Sequence, residues 1–494
     1  MNPLASFGRS WRRFGRRTFG MKLRSLAIIF AVIVGLGIWV GTSPNKVVSV
    51  VQGNLGYTPV TEASTSSRGV TSNSINVVFP VVSLTSLAGQ EGFAFDPEFA
   101  DQTKAINLYV NQINQNGGIN GRKINPIITP FDPTNNAYMR SLCKNWTQGT
   151  PAAFAVVDGI GAWQGSNELC ITQEGHTPFI GEWTTVTNWT NLGSPYLWWL
   201  GPNDAAILKT VVSWGKSTGL LGGSRKVGII AGNRASDDLA LNNYLLPDLK
   251  KIGVTPMVAS IEANPSATAA TTTQAQLAIE RFKAAGIQSV IPLVPENVFF
   301  AMLGAETSQK YFPRLLLSDY ESEIQIGLGL IPIPYEQALN GQEGVTTLTL
   351  GGIDDPRPQS QGGYDPGVRS CWNTWHKKYP QNWPGSTSDY LEEQGPIVAW
   401  CQAIKLFATA AEKAGRNLNR RTFVEAMASI KNFAGTYSPI LSYGPDKFYG
   451  PVEYRVVRIH NNVPPSKACI LLANHKPVGT CWQIVDNWRP LPTP

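Results

Sequence analysis

The chain is 494 residues long with a formal charge of +7, and the excess sits at one end. Residues 1–24 hold seven basic side chains (Arg9, Arg12, Arg13, Arg16, Arg17, Lys22, Arg24) and no acid, while the remainder holds 34 basic and 34 acidic residues. A basic tail ahead of a neutral body is not the basic face of a nucleic-acid-binding domain, so nucleic acid is set aside as a partner. At 43% hydrophobic and 15% charged residues the body is neither disordered nor a multi-span membrane protein, and it is long enough for more than one core.

After the cytoplasmic basic stretch 1–24, residues 26–40 carry no charge, and 25–43 read as a single membrane segment. Basic residues before one apolar run leave the N-terminus in the cytoplasm and carry the rest outside, which gives an extracytoplasmic body held at the membrane. The length fits a short anchor or the core of a cleavable signal, and with cleavage the body is secreted. Arg16-Arg17-Thr18-Phe19 resembles a twin-arginine export signal, and an ordinary Arg-rich leader is the alternative. Residues 44–74, rich in Ser and Thr from Thr58 onward, have no apolar period and read as a flexible linker.

From Ile75 short apolar runs alternate with longer amphipathic stretches, the mark of βαβ units on parallel sheets. Strands are expected at 75–82, 124–128, 154–157 and 178–180, with helices at 99–114, 138–147 and 166–174. The rhythm then restarts. Helices at 205–217, 237–252, 274–285 and 298–306 alternate with strands at 227–231, 255–259, 290–294 and 314–317. Helices at 397–414 and 422–430, a strand at 452–459 and a hairpin over 469–485 follow. The fold class is therefore α/β, with two doubly wound lobes. The late segment brings the chain back between them, which gives lobe 1 as 75–199 with 353–442, lobe 2 as 200–352 with 443–494, and a hinge of several strands.

Asn116-Gly117-Gly118-Ile119-Asn120-Gly121-Arg122-Lys123-Ile124, then Phe131-Asp132-Pro133, resembles the N-terminal lobe motif of the leucine/isoleucine/valine-binding proteins. These have the type I periplasmic binding fold and are the extracytoplasmic receptors of branched-chain amino-acid ABC importers. Residues 408–415 (ATAAEKAG) resemble a late helix of that family, and in element order the resemblance runs over about 75–459. It implies a small-molecule solute as ligand and an ABC transporter permease as partner.

The six cysteines suit an oxidising compartment, and although six allow fifteen pairings, nearness in sequence favours Cys143–Cys170, Cys371–Cys401 and Cys469–Cys481. The first pairing matches in placement the disulfide of the resembled family. No Cys-x-x-Cys occurs and the four histidines are scattered, so no metal or other cofactor is expected. The chain has no Gly-x-Ser-x-Gly elbow, no His-Glu-x-x-His and no phosphate loop, which favours binding over catalysis.

In doubly wound sheets ligands meet the loops at the carboxyl ends of the strands. This rule selects Ser83, Trp163, Gln164, Trp183 and Thr184 in lobe 1 and Arg234, Glu296, Tyr320 and Glu321 in lobe 2 as ligand-binding candidates. By position the resemblance gives Thr184 the ligand's carboxylate and Glu321 its ammonium. It breaks after Ile160, where the family has small residues and serines and this chain has Gly161-Ala162-Trp163-Gln164. The two tryptophans would offer stacking faces to a larger, flatter or cationic ligand. Three functions follow: a tethered solute receptor for an ABC importer, a ligand sensor of the same fold working through a separate partner chain, and a surface hydrolase with a triad assembled in space.

Overall fold

The computed structural model describes residues 60, 62–83, 99–132, 135–161, 163, 166–181, 187–264, 267–320, 336–348, 366–380, 395–436, 438–463, 469–471 and 479–493. All of them lie in one compact unit, Tyr57–Pro494. The expected membrane segment, 25–43, lies outside the described residues. Among the described residues no helix is long and apolar enough to cross a membrane.

The first half is built on a five-stranded sheet in the order β2-β1-β3-β4-β5. Its strands are β1 (Ser74–Val82), β2 (Lys123–Phe131), β3 (Ala155–Asp158), β4 (Phe179–Gly181) and β5 (Leu197–Trp199), and every pairing is parallel. Period-two alternation in β1 sends Ile75, Val77, Phe79 and Val81 into one core and Val78 and Val82 into the other. A sheet with apolar residues on both faces must be covered on both. Helix α1 (Phe99–Gln115) covers the first face; α2 (Asn136–Gln148) and α3 (Ser166–Leu169), the latter running into a π-helical turn Cys170–Glu174, cover the second. A short α4 (Thr187–Gly193) leads to β5.

The chain then crosses to a second sheet through α5 (Asp204–Ser217), whose N-cap Asn203 accepts the Ala206 N–H at 2.9 Å. The parallel part runs β7 (Met257–Ile261), β6 (Val227–Gly232), β8 (Ser289–Leu293), β9 (Arg314–Leu317) and β10 (Glu343–Thr346). Its helices are α6 (Ala235–Ala240), continued by a π-helical turn Leu241–Leu245 into α7 (Leu246–Lys251), then α8 (Thr268–Ala285), α9 (Glu296–Gln309) and α10 (Glu336–Leu339). Ile230, Ile261, Val290 and Leu317 face one core, and Ile229, Ala231, Ile291 and Leu316 the other.

Next, α11 (Pro366–Lys378), α12 (Gly395–Ala414) and α13 (Arg420–Ala428) return to the first sheet, where Trp400, Ile404, Phe407 and Phe423 complete its core with Ile75 and Phe79. A two-stranded β11 (Phe433–Ala434) and β12 (Ile440–Leu441) precedes the last crossing. β13 (Glu453–Val463) then adds to β10, followed by β15 (Gly479–Ile484) and β14 (Cys469–Leu471), with β16 (Arg489–Pro490) also on β13. These additions are all antiparallel, and β14 with β15 makes the hairpin expected over 469–485. A strand arriving from the other half, followed by hairpins, has no βαβ crossover to make it parallel.

Two expected disulfides are formed. Cys143–Cys170 ties α2 to the π-helical turn, and Cys371–Cys401 ties α11 to α12. The register sets Cys469 opposite Gln483 and Cys481 opposite Leu471, but these cysteine side chains, and the 469–481 bond with them, lie outside the described residues.

The linker is shorter than its composition predicts. Residues 62–73 are bound to the first half: Tyr196 Oη accepts the Ser64 N–H at 2.6 Å, and the carbonyls of Ser64 and Ser66 accept the N–H groups of Arg421 and Arg420 at the start of α13. Arg68 donates to the Thr147 and Gly149 carbonyls. Backbone and hydroxyl hydrogen bonds, which leave no apolar period in a sequence, hold this strap.

Candidate functional site

The carboxyl ends of the parallel strands are organised by carboxylates. Asp158, the last residue of β3, is buried and accepts the N–H groups of Ile160 (3.1 Å), Gly161 (2.9 Å) and Trp163 (2.8 Å). One side chain thereby folds the following loop back on the strand, with Gly161 supplying the positive φ of 72° that the turn needs. Burial pushes the Asp158 pKa up to about 6 against the opposing pull of those three donors. Gly159 is packed so closely that a Cβ there would lie 2.6 Å from the Trp400 ring.

In the second half, Asp319 plays the matching part after β9. It accepts Thr346 Oγ1 (2.6 Å), Thr347 N (2.6 Å) and Thr347 Oγ1 (2.7 Å), and burial raises its pKa to about 6, with Arg455 nearby pulling the other way. Thr347 also pairs with Ser438 Oγ at 3.3 Å, so this cluster joins the end of β10 to the segment returning from the first half. At the first crossing Asp204 Oδ1 accepts Thr187 N (2.8 Å) and Thr187 Oγ1 (2.5 Å), again with burial raising its pKa to about 6. Thr187 hydrogen-bonds in turn to Tyr244 of the second half.

Ser83 is half-buried at the end of β1, its N–H donating to the Phe131 carbonyl at 2.9 Å. Trp163 is fully buried, its ring 5.1 Å from Phe131 and 4.8 Å from Trp146. Its expected role as an open stacking face is corrected, because the Asp158 clamp draws the loop inward and turns the indole into core. Arg234 caps α6 and forks onto Asp237 at 2.9 and 2.7 Å, and buried Tyr320 donates its Oη to the same carboxylate at 2.7 Å. These two expected ligand contacts are thus engaged with each other's partner.

Glu296 opens α9 directly after β8, partly exposed at its surface. Desolvation alone acts on its carboxyl, pushing the pKa up to about 8. Among the described residues it has no hydrogen-bond or ion-pair partner, which sets it apart from Asp158, Asp237 and Asp319. Gln164, Trp183, Thr184 and Glu321 lie outside the described residues. The clamps Asp158, Asp204 and Asp237 were missed by the sequence reading, which placed Asp319 among the strand-end residues but not as a backbone acceptor; the available signal was an acid at the end of an apolar strand, as in Val156-Val157-Asp158. Among the described residues no cluster of His, Cys, Asp or Glu could hold a metal ion.

Residues 91–327 match the model of a family described as periplasmic binding protein. No match is found among curated proteins. Solved structures with a similar fold include a fatty acid ABC transporter substrate-binding protein from Thermomonospora curvata, at 18% identity and TM-score 0.59, covering 85% of this chain and 93% of that one. A solute-binding protein of an ABC transporter from Rhodopseudomonas palustris BisB5, in complex with 3,4-dihydroxybenzoic acid, gives 14% identity and TM-score 0.56 over 85% and 98% of the two chains. A branched-chain amino acid ABC transporter protein from Thermus thermophilus with bound valine gives 13% identity and TM-score 0.55 over 78% and 94%. Over residues 91–327 the chain is thus similar to periplasmic binding proteins, and its fold is that of solved substrate-binding proteins of ABC transporters.

Proposed function

We propose that the chain is an extracytoplasmic solute receptor, held at the membrane by its N-terminal segment, that captures a small polar-headed solute between two lobes and hands it to an ABC importer. The observation that carries this reading is the pair of sheets whose parallel strands end in loops braced by the buried acids Asp158, Asp237 and Asp319. Loops fixed in this way form a preorganised wall for a ligand. Three crossings of the chain between the halves form the hinge about which the lobes close. Ligands of the solved neighbours, a benzoic acid and valine, give the size of solute the fold accommodates. The test is thermal unfolding of the full chain in mild detergent against amino acids, amines, amides and carboxylic acids. A solute at one hundred times its Kd stabilises the folded state by about 2.7 kcal/mol, and a panel in which no solute raises the transition temperature contradicts the proposal.

A further inference from the structure

The edge of the second sheet at which its parallel strands begin carries charge of one sign. The helix ends and turns that lead into β6, β7, β8 and β9, residues 216–226, 250–256, 283–288 and 309–314, hold eight basic side chains and no acid. Of these, Lys251 pairs with Asp248 and Arg314 with Glu343. Lys216, Arg225, Lys226, Lys250, Lys283 and Lys310 have no carboxylate partner among the described residues, and all but half-buried Arg225 are exposed. One turn back along α8, exposed Glu280 is followed at once by exposed Arg281, which leaves the balance unchanged. Hydrogen bonds join the turns into one surface: Lys226 Nζ donates to the Ala285 carbonyl at 2.9 Å, Lys283 Nζ to the Gln309 carbonyl at 2.8 Å, and Arg314 N to the Gln288 carbonyl at 2.9 Å. Outside residues 1–24 the chain is balanced in charge, so this edge is a concentration of cations and not a sample of a basic protein.

Lysines in the last turns of α5, α7 and α8 complement the helix dipoles, which accounts for Lys216, Lys250 and Lys283. It does not account for Arg225 and Lys226, nor for an aromatic ring set among the cations. Phe312 stands between Lys310 and Arg314 and is 39% exposed, while its neighbour Tyr311 turns inward and donates its Oη to the Ile287 carbonyl. Cations around an exposed phenyl ring suit a surface that is anionic outside and apolar beneath. Phosphate headgroups take the lysines, and the acyl region below them takes the ring.

The geometry points to this edge as a docking surface for anionic phospholipid, with Lys216, Lys226, Lys250, Lys283 and Lys310 on headgroup phosphates and Phe312 entering between them. It lies at the opposite ends of the strands from the loops of the candidate site, so docking leaves those loops free. The inference goes beyond the receptor reading and takes from it only that the body sits beside a membrane.

The experiment is hydrogen exchange of the full chain reconstituted with vesicles of phosphatidylcholine alone and of phosphatidylcholine mixed with phosphatidylglycerol. The expected result is exchange over residues 219–226 and 309–314 slowed about tenfold on the anionic vesicles only, with residues 232–234 and 262–264 at the other edge unchanged. Raising NaCl from about 50 to about 500 mM is expected to reverse the slowing. Lys226→Gln combined with Lys310→Gln is expected to remove most of it with an unchanged unfolding transition, since each lysine at an anionic surface contributes several-fold. Equal exchange on the two kinds of vesicle, or slowing that persists in full in the double variant, overturns the inference. Slowing by soluble polyglutamate and not by vesicles assigns the edge to an acidic protein surface and overturns it as well. Flotation with the phosphatidylcholine vesicles is read separately: a chain that does not float contradicts the N-terminal anchor and leaves the comparison on anionic vesicles to decide the docking surface.

Discussion

Glu306, on the α9 helix that packs with α8 over the second sheet, is fully buried, and neither carboxyl oxygen has a hydrogen-bond partner. Burial raises its pKa well above the ordinary 4.5. Below that value the side chain is protonated in the folded and unfolded chain alike and contributes no pH dependence. Above it the unfolded chain releases the proton while the folded chain keeps it. Stability therefore falls by about 1.4 kcal/mol per pH unit until the folded-state pKa is reached. Glu306→Gln keeps the shape and removes the titration. The unfolding free energy of the variant relative to the natural chain is then expected to rise by about 1.4 kcal/mol per unit above about pH 5. Asp158, Asp204 and Asp319 give slopes of the same sign up to about 6, but they are common to both proteins and cancel in the difference. The assay is urea unfolding of both proteins at pH 5, 6 and 7. A constant difference across the series would show that Glu306 ionises in the fold and would refute the reasoning.

Further outcomes follow from the same geometry. Asp158→Ala leaves three backbone donors of the 160–163 loop without their acceptor, and a loss of about 1–3 kcal/mol is expected, with faster hydrogen exchange at Gly161 and Trp163. Gly159→Ala drives a Cβ into Trp400 and is expected to cost about 1–3 kcal/mol, read as a lower unfolding midpoint in urea. Replacing Cys371 and Cys401 together by Ser opens a loop of 30 residues and is expected to cost about 3–4 kcal/mol, measured against the natural chain under non-reducing conditions. Trypsin is expected to spare Arg68, because its guanidinium and the surrounding strap are bound to the body; early cleavage there would contradict the shortened linker.

Much of the fold was legible because buried parallel strands carry their own signature. The run Ile75-Asn76-Val77-Val78-Phe79 can bury both faces only between two helical layers, and it does. β5 was not read as a strand, since Leu197-Trp198-Trp199 is three residues long and its place at the sheet edge is set by β4 and by the Phe448 carbonyl bonded to Trp199 N. β10 was missed for a different reason. Glu343-Gly344-Val345-Thr346 has one large apolar side chain, and its pairing is imposed by β9 and β13 and by the fork from Arg458 to Glu343. At the site, strand ends located the right loops but not the direction of each side chain. Trp163 looks like a cleft residue until Asp158 is seen to hold its backbone, and Arg234 looks like a ligand clamp until Asp237 is seen three residues on. Acids that serve as backbone acceptors have no motif, because their partners are N–H groups that every residue possesses.

The central claim, that this chain captures a solute, is tested most directly by native mass spectrometry of the full chain released from detergent, purified without added ligand and then challenged with the solute panel. The account predicts one small molecule per chain, retained under native conditions and released intact on denaturation. A chain whose mass stays that of the protein alone, before and after the challenge, would contradict it.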